Sequence, residues 1–137
     1  MTPDVVPSVS ETPGGELKQK RLRVLIVEDH APTRMAMSKL IRQAGAEVLT
    51  ARDGEEGLGY LLTQRFDVLL TDLRMPKMDG FELLQHCQTL PDSHRPKRVI
   101  AISGEYEAGA LSGHPVQFLA KPFNLEVLLD MLSGKPN

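Results

Sequence analysis

The sequence predicts an α/β fold, a single parallel β-sheet wrapped on both faces by helices. Three observations lead there. Five short apolar runs are spaced along the chain, helical patterns separate them, and three of the runs are nearly continuous in apolar residues. Strands covered on both faces read that way, whereas a half-exposed strand alternates.

The first twenty residues, MTPDVVPSVSETPGGELKQK, are rich in Pro, Ser, Thr and Gly and carry no apolar period, so residues 1–20 are expected to be a disordered tail or linker. The folded domain is expected over residues 21–133, with residues 134–137 as a short tail. LRVLIV (22–27) reads as the first strand. Pro32 suits the first turn of a helix whose stripe is Met37, Leu40, Ile41 and Ala44 and which Gly45 closes. EVLT (47–50) is the second strand. DGEEGLGYLL follows, with Asp53 and Glu56 at capping-box spacing, although Gly57 and Gly59 weaken that helix. DVLLT (67–71) is the third strand, and Phe81, Leu83, Leu84 and Cys87 give the next helix its apolar face. RVIAIS (98–103) and VQFLA (116–120) complete the strands. Asn124 caps a last helix carrying Leu125, Leu128, Leu129 and Leu132.

Composition narrows the function. With 137 residues the chain is one domain, and 41% hydrophobic with 25% charged residues is ordinary for a globular protein. A net charge of -2 argues against nucleic acid, and the absence of Trp argues against a base-stacking platform. The single Cys87 excludes an internal disulfide and reads as a buried small apolar residue. No apolar run approaches membrane-spanning length and no signal-peptide order is present, so the expected location is cytoplasmic. His30, His86, His94 and His114 lack metal-ligand spacing and read as surface residues, and Met35 and Met37 as helix packing.

Chemistry collects at the strand ends. The first strand runs into Glu28-Asp29, the third into Asp72, the fourth into Ser103 and the fifth into Lys121-Pro122. In a parallel sheet those ends share one edge, where open α/β sheets place their sites. Three clustered carboxylates repel unless a cation intervenes, and a hard divalent ion such as Mg2+ takes carboxylates together with phosphate oxygens. A carboxylate between Mg2+ and Lys is set up to attack a phosphoryl group, which makes Asp72 a candidate phosphoacceptor.

VLIVEDHAPTR, LLTDLRMPKMDGFELL, IAISG and FLAKPF occur in an order that resembles the receiver domain of bacterial response regulators, from about residue 22 to 132. The resemblance implies a flavodoxin-like doubly wound sheet of order 2-1-3-4-5. It also implies Mg2+ held by Glu28, Asp29, Asp72 and the backbone carbonyl of Arg74. Asp72 would take phosphate from a histidine kinase, a phosphotransfer protein or a small phosphodonor. Ser103 and Lys121 would each contact a phosphoryl oxygen, and Phe118 would be the aromatic switch residue moving with Ser103. The Lys121-Pro122 bond is often cis in that family. Pro76 and Gly80 shape the loop, and Arg74 facing Glu105 across the crevice mouth would tune the phosphoryl lifetime.

Two departures stand out. Glu28 occupies a position where the family more often has Asp, and residues 104–115 are shorter than the usual connection, so the fourth helix of the family is expected to be shortened. That leaves a homodimer allowed but not implied. The rival reading is a receiver-like interaction module that ignores phosphate. A dehalogenase-like phosphatase is excluded, because the position two residues after the nucleophile is Arg74 instead of a second Asp. The expectation is a switch without enzymatic turnover, either a stand-alone receiver or one cut from a hybrid kinase.

Overall fold

β1 (Arg23–Val27), β2 (Glu47–Ala51), β3 (Val68–Asp72), β4 (Arg98–Ser103) and β5 (Gln117–Ala120) form one five-stranded sheet in the order β2-β1-β3-β4-β5. Every neighbouring pair is parallel. The chain is seen here in a computed structural model that describes residues 21–75, 77–103 and 116–133. The expected tails, Pro76 and the 104–115 connection with Glu105, His114 and the shortened helix lie outside the described residues.

Helices α1 (Ala31–Gln43), α2 (Gly54–Thr63), α3 (Gly80–Gln88) and α4 (Leu125–Ser133) cover the sheet, and a 3₁₀ turn, Asp92–His94, precedes β4. Strand alternation divides the core. Val24, Ile26, Val68, Leu70, Ile100 and Ile102 face Met37 and Ile41 of α1 and Leu128, Met131 and Leu132 of α4. Leu25, Val27, Leu69 and Ala101 face Leu61 of α2 and Leu83, Leu84 and Cys87 of α3. Both faces are dry, which is why the strands read as continuous apolar runs. Each fully buried Leu or Ile contributes about 1.5–3 kcal/mol. Burial also lifts the Cys87 thiol to about 11.

Helix ends follow their sequences. His30 caps α1, Asp53 caps α2 and Asp79 caps α3, and Gly45 follows α1 with a φ of 106°. Asn124 Oδ1 accepts the Glu126 N–H at 2.7 Å at the start of α4. At its far end Arg98 of β4 donates to the carbonyls of Met131 and of Leu132, the second at 2.6 Å, satisfying acceptors that a helix end leaves open.

Several expectations need correction. Met35 is 68% exposed and packs nothing, because two residues along a helix from buried Met37 lies on the opposite side. Of the histidines read as surface residues, His30 and His86 are exposed and His94 is partly exposed. Glu56 does not close a full capping box with Asp53; its Oε1 accepts the Arg52 N–H at 2.7 Å. Gly57 reads as a helix-weakening residue, yet a Cβ there would stand 2.8 Å from Val27 Cγ2, so its absence lets α2 close on β1. Strand ends also shift: β3 includes Asp72, and β5 begins at Gln117. No described helix is long and apolar enough to cross a membrane.

Candidate functional site

The chain leaves β1 toward β2 on one side and returns to β3 on the other, so the strand order reverses between β1 and β3. Crevices open at the carboxyl ends of strands at such points. The register brings the ends level there: Val27 lies opposite Ala51 and Thr71, Asp72 opposite Ile102, and Ser103 opposite Ala120.

Glu28 is the first residue past β1, is 1% exposed, and donates its N–H to the Ala51 carbonyl at 3.0 Å. Its Oε2 accepts the His30 N–H at 3.1 Å. Asp29, next to it, is exposed. Asp72, the last residue of β3, is buried; its Oδ1 accepts the Arg74 N–H at 3.2 Å and its Oδ2 accepts Lys121 Nζ at 2.9 Å. Lys121 comes directly after β5, where its N–H donates to the Ser103 carbonyl at 2.7 Å and the Lys121-Pro122 peptide is cis. Its ammonium also lies 3.8 Å from Glu28 Oε1. Gly80 sets the floor of the site. A Cβ there would fall 2.3 Å from the Asp72 carbonyl oxygen, so only glycine lets α3 start against the strand end.

One carboxylate oxygen from each of Glu28, Asp29 and Asp72 lies within 4.8 Å of the others. Burial, and then the charge of Asp72, push the Glu28 carboxyl from its ordinary 4.5 up to about 7. Burial alone would lower the Lys121 ammonium, but its hydrogen bond to Asp72 and the charges of Asp72, Glu28 and Asp29 outweigh that and hold it above its ordinary range. Among the described residues Glu28 Oε1 is the buried side-chain oxygen left without a hydrogen-bond donor. An orphaned oxygen in an all-oxygen carboxylate set fits a hard divalent cation, and the nitrogen and sulfur ligands a zinc site favours are absent from the cluster.

The structure thus brings together Glu28, Asp29, Asp72 and Lys121. Ser103 is buried at the end of β4, and Phe118 is half-buried on β5 beside Ala101, packed on the α2–α3 side of the core. Arg74 is exposed, with its backbone N–H on Asp72; Glu105, its expected partner, lies outside the described residues. Sequence reasoning missed three contributors. His30 caps α1 through Nδ1, 3.4 Å from the Thr33 nitrogen, Gly80 admits α3, and Arg34 Nη1 donates to the Glu28 carbonyl at 2.9 Å.

Three carboxylates and a lysine at the reversal point of a 2-1-3-4-5 sheet define the receiver class of two-component signalling modules. The response regulator receiver domain family matches residues 24–133, and the chain belongs to it. It is 34% identical over 113 residues to a probable chemotaxis protein CheY of Rhizobium etli, covering 78% of this chain and 86% of that protein. It is also 34% identical over 117 residues to sensor protein EvgS of Escherichia coli, covering 83% of this chain but 10% of that one. The chain spans about a third or less of several other curated relatives. Among solved structures, chemotaxis response regulator CheY4 of Vibrio cholerae superposes with a TM-score of 0.73 at 32% identity, over 84% of this chain and 98% of that one.

Proposed function

We propose that the chain is a phosphoacceptor receiver of a phosphorelay, taking a phosphoryl group onto Asp72 from a histidine kinase or phosphotransfer protein and thereby switching a partner interaction. The observation that carries this is the 2.9 Å contact of Lys121 Nζ with Asp72 Oδ2, beside Glu28 and Asp29. In the transfer, a carboxylate oxygen of Asp72 attacks phosphorus and forms an acyl phosphate. The P–N bond of the donor phosphohistidine breaks, and its electron pair returns to the imidazole nitrogen. Glu28, Asp29, Asp72 and the Arg74 carbonyl would hold Mg2+, which when bound neutralises charge on the carboxylates and on the transferring group.

Lys121 follows the new charge. Phosphorylation adds about −1.5 to −2 charges, and the ammonium pairs with a phosphoryl oxygen in place of Asp72 Oδ2. Ser103 donates to another phosphoryl oxygen and draws the end of β4 inward, and Phe118, which is opposite Ala101 in the adjoining strand, repacks with it. Arg74 would govern access of the hydrolysing water, with Glu105 as its partner. Nothing in this sequence of events is enzymatic turnover on a diffusible substrate, and the role is that of a switch.

The test is intact-protein mass after incubation with acetyl phosphate, with and without Mg2+. The expected result is one phosphoryl adduct that needs Mg2+ and is lost in Asp72→Asn, which keeps the volume and removes the nucleophile. Labelling that persists in Asp72→Asn places the acceptor elsewhere. A folded protein that neither labels nor binds beryllofluoride is a phosphate-independent interaction module instead.

A further inference from the structure

Glu28 is held at every polar atom but one. Its N–H is bonded to Ala51, its Oε2 to the His30 N–H, and its carbonyl oxygen accepts Arg34 Nη1 at 2.9 Å, which leaves Oε1 alone facing the crevice. The same Nη1 stands 3.5 Å from the Asp29 carbonyl. Arg34 lies in the first turn of α1, with its N–H on the His30 carbonyl at 2.9 Å, so its side chain folds back over the helix start onto the acidic loop. A cation is misplaced at a helix N-terminus on macrodipole grounds, and the first turn of α1 holds no acidic residue to offset it. The charges that act on the Glu28 carboxyl are those of Asp72, Lys121 and Asp29; the guanidinium is turned to the backbone.

We propose that Arg34 is a positioning residue for divalent-cation binding. It clamps the Glu28 and Asp29 carbonyls so that both carboxylates enter the crevice in the geometry a cation needs. This rests on the cation-dependent reading above. Groups that orient ligands from behind in this way commonly account for 10–100-fold in affinity. Arg42 of the same helix makes an equivalent bond far from the acidic loop, Nη2 to the Val48 carbonyl at 3.1 Å, and so provides a matched control.

Mg2+ is titrated calorimetrically into metal-free wild type, Arg34→Met, Arg34→Lys and Arg42→Met, with the melting temperature of each measured in EDTA. Arg34→Met should bind Mg2+ about 10-fold more weakly. Arg34→Lys, which keeps a charged donor but not the length and fixed plane of the guanidinium, should fall between it and wild type. Arg42→Met should melt lower in EDTA, as Arg34→Met does, yet bind Mg2+ like wild type. Equal Mg2+ affinity in Arg34→Met and wild type overturns the proposal, as does an equal loss in Arg42→Met. If Arg34→Met does not fold, Arg34→Lys against Arg42→Met decides. A wild type that binds no Mg2+ overturns the underlying cation site instead.

Discussion

Replacing Glu28 by Gln removes a buried carboxyl that only a cation can make comfortable. The structure sets the size of the effect. In the metal-free site this group titrates at about 7 in place of 4.5, a difference of about 3 kcal/mol at about 1.36 kcal/mol per pH unit. Below about pH 4.5 Glu28 is protonated folded or unfolded, and there is no penalty. Between 4.5 and about 7 the unfolded chain has released the proton while the folded chain keeps it, so stability falls as pH rises. Above about 7 both forms are ionised and the folded state carries the whole penalty. Gln cannot ionise and should remove that slope. Its amide oxygen can still accept the His30 N–H, but its NH2 then faces the Lys121 ammonium from the buried Oε1 position, a cost of about 1 kcal/mol. The variant should therefore be about 1 kcal/mol less stable than wild type near pH 4.5 and about 2 kcal/mol more stable at pH 8. For a domain of this size that gain is roughly 8 °C in melting temperature. Calorimetric melting in EDTA across pH 4.5–8 measures it. Saturating Mg2+ should erase the wild-type slope, since a ligand at about 100 times its Kd adds about 2.7 kcal/mol. Parallel wild-type and Gln curves over this range would refute the reasoning, because Glu28 would then carry no stored penalty.

Other outcomes follow from the same geometry. Lys121→Ala should keep Mg2+ binding by calorimetry, since it removes a competing cation, but lose most of the phosphorylation-dependent change in its NMR spectrum. Gly80→Ala should lower stability by about 3 kcal/mol or more in denaturant unfolding, because the new Cβ meets backbone at Asp72 and Leu73 that cannot rotate away. Asp79→Ala should cost about 1 kcal/mol, while Asp79→Ser should be nearly silent, as the lost group is the acceptor for the Glu82 N–H at 3.0 Å.

The site was legible where it depends on strand ends and illegible where it depends on what folds back onto them. Glu28, Asp29, Asp72 and Lys121 each follow an apolar run directly, and a parallel sheet puts such positions on one edge. Arg34 sits in the quoted VLIVEDHAPTR segment, but its contact with Glu28 exists only once α1 has turned back over the loop. Asp79 and Glu82 carried an unread signal, the D-x-x-E spacing of a full capping box. Gly80 and Gly57 resemble ordinary loop and helix-breaking residues locally, and their reason is tertiary: β3 passes behind one and Val27 behind the other. Met35 was misjudged because apolar residues two apart on a helix cannot share a face. Arg98 meets the last turn of α4 across 33 residues, a distance over which local patterns carry no information.

That last contact has a mechanical meaning. α4 begins four residues after Lys121, beside the crevice, and ends in the grip of Arg98 at the opposite rim of the sheet. Its nine residues make a rod about 14 Å long, held by Arg98 at the remote end and joined to the lysine by a short link at the near one. A displacement of about 1 Å at Lys121 that reached the helix would be a tilt of roughly 4° about the Arg98 contact. Any such motion would present the outer face of the helix at a new angle instead of at a new height.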